Sequence, residues 1–249
     1  MAVVVKSSKE IEKMRRAGQV TREVLELVRG LVKPGVTTLD LEKAAEARTL
    51  ELGGKPAFKG YHGYPCVLCT SVNSEVVHGI PSAKRVLKEG EIVSVDFGAF
   101  VDGYCGDSAI TVPVGKIDPR TAQLLKVTEA SLFAAIAVVK PGATLGDVGW
   151  AVQKVVEAEG FSVVRDFVGH GIGTHMHEDP QVPNFGVAGR GMKLRAGMVI
   201  AIEPMVNAGH YDVVVQPDGW TTVTADGSMS AHFEHTVAVT ATGARILTE

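Results

Sequence analysis

The chain has 249 residues, 45% hydrophobic and 21% charged, with a formal net charge of −3. That length gives one large domain or two ordinary ones with a real core, and the composition excludes a disordered or fibrous protein. The charge gives no pull toward nucleic acid or an anionic membrane, and the three cysteines (Cys66, Cys69, Cys105) are too few for a secreted disulfide framework.

The start, MAVVVKSSKEIEKMRRAGQV, has five apolar residues before charge sets in, too short for a signal region. No later window offers about 18 uncharged apolar residues, so a cytoplasmic chain is expected. After Ser7-Ser8, with Glu10 and Glu12 in the first turn, apolar Ile11, Met14, Val20, Val24, Leu27, Val28 and Leu31 follow three-and-four spacing up to Pro34-Gly35. A second helix is predicted from Thr38 to Leu52, stopped by Gly53-Gly54. Segments 120–139 and 145–159 repeat the arrangement, ending at Pro141-Gly142 and Gly160. Short strands are predicted at 92–100, 198–206 and 234–240.

The two halves align with each other. Val32-Lys33-Pro34-Gly35 recurs as Val139-Lys140-Pro141-Gly142, and LKEGEIVSVDFG at 87–98 resembles LRAGMVIAIEPM at 194–205, at the same offset. Between them, HGIP at 78–81 is echoed by HGIG at 170–173. A duplicated αβ half is the reading: one domain over 1–249, with halves of about 1–115 and 116–249, a shared sheet and helices covering one face. The halves then meet at a crease where Asp96 faces Glu203 and His78 faces His170.

Asp96 and Glu203 each sit inside an apolar strand, where an unpaired carboxylate costs several kcal/mol or is forced neutral. After Asp96, the dipeptide Asp102-Gly103 signals a two-residue turn. That turn pairs Val101 with Tyr104, Gly98 with Asp107 and Asp96 with Ala109, so both aspartates share a face on a cross-strand diagonal. Glu234 opens another strand and can reach the same crease. Four carboxylates with imidazole and no thiolate suit two divalent ions such as manganese, iron or cobalt, with zinc also in range, and ion pairs of this kind serve hydrolases.

Together these residues resemble the type I methionine aminopeptidases, pita-bread metallopeptidases of α+β class, in which two pseudo-symmetric αβ halves share an antiparallel sheet with helices on the outer face. The stretches 61-YHGYP-65, 73-NSEVVHGIP-81, 96-DFGAFVDGYCGD-107, 169-GHGIGTHMHEDP-180, 203-EP-204 and 234-EHT-236 carry the resemblance over nearly the whole chain. It implies Asp96, Asp107, His170, Glu203 and Glu234 as ligands of two divalent ions. It also implies His78 and His177 as contacts to the scissile amide and its tetrahedral intermediate, and Glu203 as general base toward a metal-activated hydroxide. A methionine pocket is implied at Tyr61, Tyr64, Cys69, His78 and Trp220, with Phe58 near the rim. Met176 departs from the aromatic that many relatives carry there, and a soft side chain at the rim would adapt to varied second residues.

The resemblance further implies removal of the initiator methionine when the second residue is small, with nascent chain N-termini as partners, at the ribosome among other settings, and a monomer is expected. In some relatives a loop matching the one at Asn73 holds a monovalent cation. The lack of a long N-terminal extension or a large insertion in the second half favours a short, bacterial-style form. It also sets the chain apart from proline-directed peptidases of the same fold, which carry an added domain. A non-catalytic relative would have lost ligands, and none is lost here.

Other motifs have bland expectations. Cys66-x-x-Cys69 has no second pair, so a packed Cys66 and a pocket-lining Cys69 are expected. GHGIG lacks the third glycine of a dinucleotide fingerprint. His62, His210, His232 and His235 read as surface or satisfied polar residues. His175 is given a supporting role on an extended stretch shared with His177, and Glu178 and Asp179 are read as turn residues before Pro180.

Overall fold

The computed structural model describes residues 3–249, which leaves the first two residues of the apolar start outside the described part. Four helices form where the sequence signals them: α1 (Ser8–Leu31), α2 (Thr38–Glu51), α3 (Pro119–Val138) and α4 (Leu145–Ala158). Ser7, Thr37 and Thr144 close capping boxes with Glu10, Asp40 and Asp147, satisfying backbone donors that the first turn leaves free. Asp118 caps α3, whose first residue, Pro119, needs no N–H there, so that helix starts one residue earlier than expected. The duplication extends to detail: Thr37 bridges Val86 as Thr144 bridges Lys193, and Gly35 N–H donates to Leu87 as Gly142 N–H donates to Leu194.

Among the described residues the main sheet has nine strands, antiparallel at every pairing. From one edge its order is Lys55–Pro56, Ile92–Val101, Tyr104–Pro113, Glu234–Val239, Val199–Ile202, Gly169–Gly171 and Glu178–Val182; Cys69–Val72 also pairs with Ile92–Val101, and Ala244–Ile246 with Glu234–Val239. The hairpin at Asp102-Gly103 has both residues at positive φ, 50° and 79°, and its register sets Asp96 opposite Ala109, Gly98 opposite Asp107 and Val101 opposite Tyr104, as the turn predicted.

The continuous strand expected over 198–206 is divided. Val199–Ile202 belongs to the main sheet and Met205–Asn207 to a separate three-stranded sheet. Pro204, lacking an N–H, cannot continue the ladder, so Glu203 sits at the corner between them.

Strand alternation separates two faces. Val93, Val95, Phe97 and Ala99 pack with α1 and α2 residues in one core, and Ile200 and Ile202 pack with α3 and α4 residues in another. Asp96, Gly98 and Glu203, of opposite parity, face the other way. Helix α3 is long and apolar enough to cross a membrane by length and composition, but Leu124, Val127, Leu132, Ala135 and Ile136 are buried in the second core, which accounts for that apolarity.

The join between halves is short as a ladder: Glu234 pairs Ala109 and His235 pairs Ser108. Hydroxyls extend it. Ser108 Oγ donates to the Glu234 carbonyl at 2.6 Å, Thr236 Oγ1 donates to the Asp107 carbonyl at 2.8 Å, and Thr111 Oγ1 donates to the His232 carbonyl at 2.8 Å.

Candidate metal centre and its pocket

Both aspartates, Glu203, Glu234 and His170 converge on the face away from the helices and line one cavity of about 350 Å³. Donor atoms of Asp107, His170 and Glu234 all lie within 4.8 Å of one another. His170 Nε2 is 3.6 Å from Glu203 Oε1 and 4.0 Å from Asp107 Oδ2. Gly98 keeps this volume open, since a Cβ there would lie 3.1 Å from Asp107 Oδ1 and 2.9 Å from the Phe58 ring.

The hydrogen-bond inventory shows what the cluster lacks. Asp96 Oδ1, Asp107 Oδ1 and Glu234 Oε1 are buried without a hydrogen-bond partner among the described residues. His170 Nδ1 lies 2.9 Å from the Gly171 carbonyl, an acceptor, so Nδ1 carries the proton and Nε2 presents a lone pair to the carboxylates. Acceptors facing acceptors require a cation or shared protons between them. Burial, then neighbouring carboxylates, pushes Asp96 and Glu203 well above the ordinary carboxylate range, and Glu234 likewise. Asp107 is raised to about 7 by burial, against the pull of the Ser108 N–H. Burial lowers His170 to about 3, keeping it a neutral donor. The residues thus fit a divalent metal.

The rest of the cavity is largely apolar, and each pocket residue expected from the sequence lines it. Tyr64 is buried, its hydroxyl donating to the carbonyls of Leu68 and Gly79 at 2.9 and 3.0 Å, with the Trp220 ring edge-on at 5.1 Å. Phe58 and Cys69 are buried beside it in a cluster that draws on both halves. Met176 is 4% exposed and packs into the same cluster, so it belongs to the pocket wall rather than the rim. His78 is held at φ 61°, with its ring edge-on to Phe167 at 5.6 Å; burial lowers it to about 4. His177 stands over His170 at 4.2 Å between ring centroids, and the Tyr61 hydroxyl lies 2.8 Å from His177 Nδ1.

Asn73 lies outside this cavity, at φ 59°: its carbonyl accepts the Ser230 N–H and its side-chain oxygen the Ile92 N–H.

Several expectations change. Residues 173–177 form a bend rather than an extended stretch, so His175 and His177 share no strand face, and His175 is exposed with its Nδ1 3.3 Å from the Thr174 hydroxyl. Glu178 and Asp179 lie in the strand Glu178–Val182, and Glu178 forms a buried ion pair with Lys6. His232 is 1% exposed and lines the cavity; its Nε2 has no hydrogen-bond partner among the described residues and lies 3.9 Å from Glu203 Oε2. No local pattern signals it, because the chain breaks strand at Phe233 and puts His232 and Glu234 in different sheets. Glu42, also missed, is buried on α2 and accepts the N–H groups of Val67 and Leu68, both at 2.8 Å, fixing the chain between Tyr64 and Cys69.

Comparison with known proteins gives the family. The model of metallopeptidase family M24 matches residues 12–241, and the chain belongs to that family. It aligns end to end with that family's methionine aminopeptidases. The enzyme of Clostridium acetobutylicum is 51% identical over 99% of this chain and 98% of its own length. The solved methionine aminopeptidase of Thermotoga maritima superposes at a TM-score of 0.98 with 51% identity, both chains covered in full. A solved prolidase from Pyrococcus horikoshii, at a TM-score of 0.80 and 23% identity, shares the fold; this chain covers 63% of it.

Proposed function

We propose that this chain is a metal-dependent aminopeptidase that removes the N-terminal methionine from nascent proteins and peptides whose second residue is small. The observation that carries the reading is a buried set of acceptors opening directly onto an apolar cavity of about 350 Å³, at the small end of the ligand-site range. Asp96, Asp107, His170, Glu203 and Glu234 would hold two divalent ions, whose four positive charges match the four carboxylates. Such ions, when bound, supply Lewis acidity and bring the pKa of a water toward neutrality.

The chain's own residues do the rest. Phe58, Tyr64, Cys69, Met176 and Trp220 take up the unbranched thioether side chain. Glu203, at the strand corner, accepts a proton on its carboxylate from the attacking water and returns it to the leaving amine. The Tyr61 hydroxyl lies 2.8 Å from His177 Nδ1; in the tautomer where it donates there, the ring proton sits on Nε2 and His177 presents an N–H to the carbonyl oxygen as charge develops there. His78, kept neutral by burial, contacts the same amide. We read residues 1–249 as one catalytic unit acting as a cytoplasmic monomer on nascent N-termini, including those at the ribosome, with a monovalent cation near Asn73.

The test is methionine release from Met-Ala-Ser, Met-Lys-Ser and proline-containing peptides, before and after chelation and metal add-back. Release from Met-Ala-Ser that is lost on chelation and restored by a divalent ion is expected. No release with manganese, iron, cobalt or zinc would overturn the reading.

A further inference from the structure

The loop that carries Met176 and His177 is held by a residue near the start of the chain, 172 positions before Glu178. Lys6, in the segment before α1, puts its Nζ 2.6 Å from Glu178 Oε2, with both side chains under one-tenth exposed. The other carboxylate oxygen of Glu178 accepts the His175 N–H at 3.2 Å. Lys6 is itself fixed: its N–H donates to the Gly197 carbonyl at 2.7 Å and its ammonium to the Val4 carbonyl at 3.3 Å. Gly173, where the loop begins, makes room for the pair, since a Cβ there would lie 2.5 Å from Glu178 Oε1 and 2.6 Å from Lys6 Cε. Its carbonyl accepts the Cys105 N–H, tying the loop to the hairpin strand that carries Asp107.

We infer that Lys6 is a positioning residue: through Glu178 it clamps the Gly173–His177 bend and thereby sets His177 against the reacting carbonyl and Met176 in the pocket wall. Geometry and desolvation both argue for it. The bend has no ladder of its own over 173–177, so its shape depends on what Glu178 accepts and where Glu178 is anchored. A buried carboxylate deprived of its cation seeks water or another partner, and the bend would follow it. The catalytic part of this inference rests on the aminopeptidase reading above; the clamp itself does not.

The experiment uses the full chain loaded with manganese, comparing Lys6→Met, Lys6→Arg and Glu178→Gln. Lys6→Met is expected to lower kcat on Met-Ala-Ser by about 10²-fold, the order that small misplacement of a reacting group costs. Bound manganese per chain stays the same, and Lys6→Arg recovers most of the rate. In hydrogen exchange, the amides of 174–177 should speed up by about tenfold or more while those of Glu234–Val239 do not. If Lys6→Met does not fold, Glu178→Gln, which keeps an acceptor for the His175 N–H, should show the same selective exchange.

An unchanged kcat, or exchange that rises equally everywhere, would show Lys6 to be a stability residue only and end the proposal. Failure of the unmutated chain to release methionine would instead overturn the aminopeptidase reading, with exchange still deciding the clamp.

Discussion

Removing divalent metal should make stability fall as pH rises from about 6.5 to about 8.5. The sign follows from which state holds the protons. Asp96, Asp107, Glu203 and Glu234 have folded pKa values raised by burial, so their contribution is intact below the ordinary carboxylate range and is lost as pH rises through the folded values. His78, His170, His177, His232 and His235 have values lowered by burial and act oppositely, most strongly below their ordinary 6.5, where the unfolded chain is largely protonated. Above 6.5 that opposition shrinks to about 0.4 kcal/mol per histidine over the window, less than the carboxylates that keep their protons contribute, and the window closes before the ordinary thiol value of 9.0.

With Asp107 moved from 3.8 to about 7, this group alone removes about 1 kcal/mol across the window, which is about 3 °C in Tm for a chain of this size. Each further carboxylate that keeps its proton over the window adds up to about 2.7 kcal/mol. The assay is thermal unfolding in EDTA at three pH values, repeated with manganese. Bound metal should abolish the fall, because ligands must be deprotonated to bind. A chelated Tm that is flat or rises over the window would refute the reasoning.

Glu203→Ala should abolish turnover almost entirely, whereas His177→Ala should keep its metal and lose about 10²- to 10³-fold in kcat, as removal of one oxyanion donor does; full activity in Glu203→Ala, read alongside metal content, would rule out its role. Glu42→Ala leaves two buried N–H groups unpaired, and a loss of about 2–5 kcal/mol in chemical unfolding together with a raised KM for Met-Ala-Ser is expected. Met176→Phe adds a ring to a packed wall, with an overpacking cost of about 1–3 kcal/mol, so it should alter KM for methionine peptides while leaving the ratio between different second residues unchanged.

The convergence of the proposed ligands is legible because their signals are local or repeated. Asp102-Gly103 alone sets the register that brings Asp96 and Asp107 to one face. The duplicated strand then marks Glu203 as the partner of Asp96. What was not legible depends on residues meeting across long separations. Lys6 and Glu178 are 172 positions apart, and Glu178 beside Asp179-Pro180 carries the composition of a turn. Glu42 looks like one more polar residue on a helix until the chain at Val67-Leu68 folds over it. His232 sits on a short strand of a different sheet from Glu234, so its shared face becomes visible only once both sheets are in place.

The hydroxyl-rich join separates two hydrophobic interiors. Apart from Ile92, every buried member of the second-half core comes from residues 124–239, while the first-half core draws only on 24–114. A cut in the connection at 115–118 would therefore leave each fragment its own apolar nucleus, yet divide the proposed ligands, with Asp96 and Asp107 on one piece and His170, Glu203 and Glu234 on the other. Metal capture would then report reassembly of the severed chain, since neither fragment carries the whole constellation.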